Sequence, residues 1–181
     1  MSTRFFRLAL LLGLAPASLY AGERQLAFTG STVTFSGKAF RLPCAKDALL
    51  SAFGTPDRVE RLANDIYVWD ELGLFAYVRP GRNEAFSVNV ALGEMTKFLS
   101  FAPKKTFTGP LIVDGARITP AADIDTINKS KKGQPFRADF VRYSFRAEED
   151  GFCCFLNRGT PAGFAEGGPF IEFSLEWTGK K

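Results

Sequence analysis

The sequence predicts an α+β fold, a mostly antiparallel β-sheet laid down as a meander, with two short helices. Three observations predict it. Apolar and polar residues alternate in runs such as "AFSVNVAL" and "FIEFSLEW", the period of half-buried strands. Turn chemistry separates these runs, as in "DELG", "RPGRNE", "VDGA" and "AEEDG". Helical spacing is confined to two brief stretches, one stopped by Gly54 and one opened by Thr119-Pro120.

The N-terminus carries Arg4 and Arg7, then the apolar run "LALLLGLA" and the small-residue stretch "APASLYAGE". That order of charged, apolar and small segments predicts a Sec-type signal peptide over residues 1–21. Cleavage is expected after Ala21, with Ala17 as the other site. The run is short for a membrane span, and no Cys follows it to take a lipid. The remaining 22–181 read as a single α+β domain, periplasmic or secreted and without stable membrane insertion after signal cleavage.

From Gln25, "QLAFTGSTVTFSGKAFRL" gives one or two strands broken at Gly30 and Gly37. Leu49, Leu50 and Phe53 then sit at helical spacing before Gly54 and Pro56, a short helix with a glycine stop. Residues 57–92 read as the meander. Strands over Arg58–Leu62, up to Trp69, "LFAYV" and "AFSVNVAL" are joined by turns beginning at Asn64, Asp70 and Arg79. Asp114-Gly115 is a hairpin cue, and "AADIDTINKS" is a helix that packs Ile124 and Ile127. Lys129, Lys131, Lys132 and Gly133 form an exposed basic linker. "ADFVRYSFRAEEDGFCCFL" is a further hairpin, and Asn157–Pro169 is a long Gly/Pro-rich loop. In the closing strand Ile171, Phe173, Leu175 and Trp177 are expected inward, with Glu172, Ser174 and Glu176 outward.

Composition excludes several functions. The 23 basic residues against 19 acidic ones leave +4, and loss of Arg4 and Arg7 takes this to +2. So mild a charge does not fit nucleic acid, which calls for a dense basic face. The chain has no His, which removes Ser-His-Asp and Cys-His devices. No phosphate-cradling G-x-x-x-x-G-K-[ST] is present. No cofactor and no metal are expected, and the chain is read as not an enzyme.

Cys44, Cys153 and Cys154 make an odd count in an oxidising compartment. Neighbours in a strand face opposite ways, so Cys44 is expected to bridge one of Cys153 or Cys154. That closes a loop of about 110 residues, worth up to ~4–5 kcal/mol in the chain-entropy account. Three buried thiols packed as small hydrophobes are the alternative.

The densest chemistry lies in "NDIYVWDELGLFAYV". Asp70 and Glu71 form a candidate acid pair, with Tyr67 and Trp69 as sugar platforms. Adjacent residues in a turn splay apart, however, and turn chemistry is the preferred reading. Tyr67 and Trp69, with Asp70 and Glu71, are kept as a candidate partner-binding surface against the reading of cross-strand aromatic pairing. Arg158, Phe164 and Glu166 are candidate partner contacts in the long loop.

"FGTPDRVERLANDIYVWDELGLFAYV" together with "FTGPLIVDGARI" resembles a family of bacterial domains with no assigned activity. They share a G-x-P-[DS]-R step, an N-D-I-Y-V-W-D-x-L-G hairpin and an F-x-G-x-L-x-[IV]-x-G element. The likeness covers roughly residues 40–128 and implies a shared α+β scaffold. At fold level, a helix followed by G-x-P and a three-strand meander is similar to the BamE/SmpA envelope domains, which are binding scaffolds. The function expected is a non-catalytic exported protein that binds another protein, such as an immunity protein neutralising a toxin. An envelope assembly or structural accessory protein is the second expectation, and a hydrolase the third.

Overall fold

The computed structural model describes residues 24–149 and 151–179. The expected signal peptide and its cleavage site lie outside them. Among the described residues no helix is long and apolar enough to cross a membrane.

The α+β class is the one the chain forms. The breaks at Gly30 and Gly37 divide the first stretch into three strands: β1 (Leu26–Thr29), β2 (Thr32–Phe35) and β3 (Lys38–Arg41). They pair antiparallel and turn Leu26, Phe28, Val33, Phe35 and Phe40 into the core. β4 (Cys44–Ala45) leads directly into α1 (Lys46–Phe53). The helix stops as expected at Gly54, whose N–H donates to the Leu50 carbonyl at 2.9 Å. Phe53 meets the rings of Phe35, Phe40 and Trp69 at 5.2, 5.6 and 5.2 Å.

The expected meander follows: β5 (Arg58–Arg61), β6 (Asp65–Trp69), β7 (Leu74–Arg79) and β8 (Glu84–Ala91). β9 (Leu111–Val113) and β10 (Ala116–Ile118) flank Asp114 and Gly115, at φ 46° and 88°. A two-residue hairpin requires this left-handed pair because its twist then matches the strands. β9 also pairs parallel with β1, which gives a five-stranded sheet in the order β10-β9-β1-β2-β3.

The second helix starts later than Thr119-Pro120 suggested. In α2 (Ile124–Ser130) the cap is Asp123, whose Oδ2 accepts the Thr126 N–H at 3.0 Å. Pro120 and Ala121 instead sit in a turn closed by the Ala122 N–H on the Thr119 carbonyl. The linker after α2 is not wholly exposed. The Lys131 side chain is 1% exposed and pairs with Asp114 at 2.8 Å, because the β9–β10 turn folds over it.

The second sheet is completed by β11 (Arg137–Ala138), β12 (Ser144–Glu149), β13 (Phe152–Thr160), β14 (Gly163–Phe164) and β15 (Phe170–Trp177). Part of the expected long loop is strand: β13 runs to Thr160 and β14 pairs back on it, while 165–169 stays irregular. The order is β11-β12-β13-β15-β8-β7-β6-β5, with β4 on β8 beyond the end of β15.

The two sheets share a core in which Phe28 meets Phe173 at 4.7 Å. The second sheet is covered on its other face as well. Ile66, Val68, Phe75, Ala91 and Ile171 pack there against Met95 and Ala102 of the crossover 93–105. This overturns the outward reading of Glu172 and Ser174, which are 8% and 7% exposed. β15 is a central strand, and a slip of register opposite Asn157/Arg158 turns Ile171 to the second face.

The expected disulfide does not form; all three cysteines are free thiols. Cys153 and Cys154 do face opposite ways, with only Cys154 packed on the main core. Cys154 stands level with Val88 across β15, whereas Cys44 pairs with Ala85. One strand spacing and three residues of β8 separate them, roughly 11 Å from strand dimensions, beyond the ~7 Å a bridge spans.

Candidate binding cleft

The aromatic-acid stretch is scaffold. Trp69 is 2% exposed and its Nε1–H donates to the Gly54 carbonyl at 3.0 Å. Tyr67, half-buried, also packs on the main core. This removes the pair as an exposed partner surface, because α1 covers that face of β6. Asp70 is 3% exposed and is more than a turn residue. Its carboxylate accepts from Arg58 Nε and Nη2 at 3.3 Å and from the Lys104 backbone N–H at 3.0 Å. Lys104 Nζ lies 3.1 Å from Oδ2. Desolvation alone would raise the Asp70 pKa, but the bonds from Arg58 and Lys104 outweigh it and hold it below the ordinary value. Asp57 in turn accepts the Asp70 backbone N–H at 2.7 Å. Asp57, Arg58 and Asp70 thus belong to one lock that ties β5, the β6–β7 turn and the crossover together. Glu71 is exposed and pairs with Lys105 at 2.6 Å.

Chemistry gathers elsewhere, on the second face of the larger sheet. The crossover covers β6–β8, the turn 139–143 rises over β12, and between them opens a cleft of about 460 Å³. Its walls include Tyr77, Phe101, Phe140, Tyr143, Phe155 and Phe164. Tyr143 and Phe164 stack at 5.0 Å with planes 12° apart, and Phe98 meets Phe164 edge-on at 5.1 Å. Phe140 is 90% exposed at the rim.

Glu172 also lines the cleft. Its Oε2 accepts the Asn157 Nδ2–H at 2.8 Å. Burial pushes its pKa up, and the Asn157 bond offsets this only in part. Burial, then the charges of Glu172 and Glu176, push the Tyr77 hydroxyl up to about 12. Desolvation raises the Cys44 and Cys153 thiols to about 11 and Cys154 to about 12, so none is a ready nucleophile at neutral pH. Among the described residues, no group of three or more His, Cys, Asp or Glu is placed to hold a metal ion.

Of the loop candidates, only Phe164 lines the cleft. Glu166 is outside that lining and lies 3.9 Å from Arg142. Arg158 points elsewhere: its guanidinium sits 5.1 and 5.0 Å over Phe145 and Phe170, beside a separate recess near Pro120 and Asp123. Glu172, Tyr77, Asn157 and Phe140 were not singled out from the sequence. The available signal was an acid in the middle of the apolar run "FIEFSLEW".

Fold and cleft together define an α+β protein whose larger sheet is covered on both faces and carries an aromatic-walled recess bearing a buried carboxyl. Residues 25–128 match the family described as "Domain of unknown function (DUF7738)", and the chain belongs to that family. The matched segment holds the smaller sheet, β4–β8 and the crossover; β11–β15, which complete the cleft, follow it. No curated protein matches the chain. Among solved structures it is similar to a cysteine-rich secretory protein from Staphylococcus aureus subsp. aureus Mu50, with 15% identity and a TM-score of 0.38. The match covers 74% of this chain and 44% of that one, so the chain spans less than half of that protein's length.

Proposed function

We propose that this is an exported, non-catalytic bacterial binding module whose cleft receives another protein, most concretely as an immunity protein against an exported toxin. The observation that carries the reading is the cleft itself: about 460 Å³, aromatic-walled, with Phe140 standing 90% exposed at its rim. Exposed aromatics beside a recess are the usual anchors of protein interfaces. The charged, apolar and small-residue order of residues 1–21 supports export. Absence of catalysis is supported by the chain's lack of His and by thiols held at about 11 to 12. Glu172 is also bonded only to an amide, which neither takes nor gives a proton.

The test is site-specific photocross-linking in the producing cell. A cross-linking residue at Phe140 is compared with one at Leu62, which is 63% exposed and outside the cleft. A discrete adduct from Phe140 alone, sequenced by mass spectrometry, is expected. A toxin in that adduct supports immunity, whereas outer-membrane machinery would replace that version with envelope assembly. No adduct, or the same adducts from both positions, would overturn the binding role of the cleft.

A further inference from the structure

We propose that the cleft binds an arginine or lysine side chain of the partner protein, with Glu172 as its counter-ion; this rests on the cleft being the protein-binding site.

Glu172 supplies the first argument. Its Oε2 is taken by Asn157 at 2.8 Å, while Oε1 receives no hydrogen bond from the described residues. Among those residues, no side-chain N or O sealed from solvent lacks a partner. Oε1 is therefore open to solvent, and the opening at Glu172 is the cleft it lines. A carboxylate more than nine-tenths buried with a single amide donor has unmet demand for a cation.

The charge of the lining supplies the second. The lining holds two acids, Asp139 and Glu172, and one basic residue, Arg146, which is already paired with Glu148. The lining thus presents free negative charge to an entering group.

The walls supply the third. Aromatic faces hold a cation well, and a planar guanidinium best. Among the described residues the protein sets a guanidinium against two aromatic rings twice. Arg79 lies 4.9 Å from the rings of both Phe86 and Trp177, and Arg158 lies about 5 Å from Phe145 and Phe170. The cleft offers aromatic walls, and among the described residues its lining holds no cation besides the paired Arg146.

The test titrates the mature protein with N-acetyl-arginine methylamide and N-acetyl-norleucine methylamide, following the Asn157 side-chain amide by NMR. The arginine probe is expected to shift that amide and to bind at least about tenfold more tightly than norleucine. Glu172→Gln, which preserves shape, is expected to weaken it about tenfold or more, the scale of a hydrogen bond to a charged group. An unchanged spectrum away from the cleft verifies folding. Phe155→Leu gives a second, independent reduction. Equal binding of the two probes, no binding of either, or full affinity in Glu172→Gln would overturn the proposal. If the Phe140 adduct forms while the arginine probe fails, the protein-binding role stands and the cation site falls. If the probe binds without any Phe140 adduct, the cation site stands as one for a free small molecule, and the protein-partner assignment falls.

Discussion

Replacing Asp70 by asparagine tests whether the G-x-P-D-R and W-D segments form a structural lock. The substitution keeps the shape and removes one charge from a site that is 3% exposed. The carboxamide retains an oxygen for the Lys104 N–H, bonded at 3.0 Å in the native protein. It also places an amide N–H₂ where Oδ2 now faces Arg58 Nε and Lys104 Nζ, so donors oppose donors. A hydrogen bond to a charged group contributes about 1.5–3 kcal/mol. The Arg58 contacts are long, at 3.3 Å, which sets them at the lower end. Lys104 is 73% exposed, so its ammonium adds less than about 1 kcal/mol. The expected loss is about 2–3 kcal/mol, or ~5–10 °C in Tm for a chain of this size. Urea unfolding followed by tryptophan fluorescence measures it, with Trp69 adjacent as reporter. The pH dependence has a fixed sign. The folded pKa lies below the ordinary 3.8, so the unfolded state holds more protons between the two values and stability rises with pH across that window. The gap between native and Asp70→Asn is therefore full above about pH 4 and closes as pH falls through the folded value. A gap under 0.5 kcal/mol on that roughly 2–3 kcal/mol scale, or one that stays constant from neutral to acid pH, would refute the lock.

Three other outcomes follow from the same geometry. Glu172→Gln should raise Tm at neutral pH and leave it unchanged in acid. Its folded pKa lies above the ordinary 4.5, so the native protein loses stability as pH rises through that window and the variant does not; thermal melts from acid to neutral pH check this. Gly73→Ala should cost more than about 3 kcal/mol, because φ is +72° and a Cβ would stand 2.2 Å from the Phe107 backbone N; chemical denaturation reads it. Iodoacetamide at pH 8 should leave the folded protein unlabelled and modify three thiols per chain after denaturation without reductant, since all three are free and shifted well above their ordinary range. Intact mass spectrometry counts them, and one thiol after denaturation would restore the disulfide.

The β6–β7 hairpin shows how far the pattern could be followed. Alternation and the "DELG" turn specify its register, and the pairing of Asp65 with Val78 through Trp69 with Leu74 agrees. The Gly54 stop and the Asp114-Gly115 turn are legible for the same local reason. What the pattern does not carry is coverage of the second face. That depends on the crossover 93–105, which has no strand or helix of its own and reads as a connection. Asp70 looks like turn chemistry because Lys104 lies 34 residues away, and Lys131 looks solvated because its partner is on another hairpin. Glu172 looks outward because alternation assigns faces but cannot say whether a face meets water.

The same crossover explains why the cleft lies where it does. It shields Ile66, Val68 and Phe75, and the apolar lining continues past β7 through Ala91 and Ile171. From β8 through β15 to β13 the face becomes polar while staying largely covered, with Ser87, Asn89, Glu172 and Ser174 all buried. A surface selected only for packing would be apolar there, since burying a carboxyl costs several kcal/mol unless it is paired. Ser87 and Asn89 satisfy each other, with Asn89 donating to Ser87 at 3.1 Å. Glu172 keeps one oxygen unmatched and turned toward open space. Departures of this kind from packing logic concentrate at working sites. Within this sheet the departure falls where the crossover ends and the aromatic rim begins.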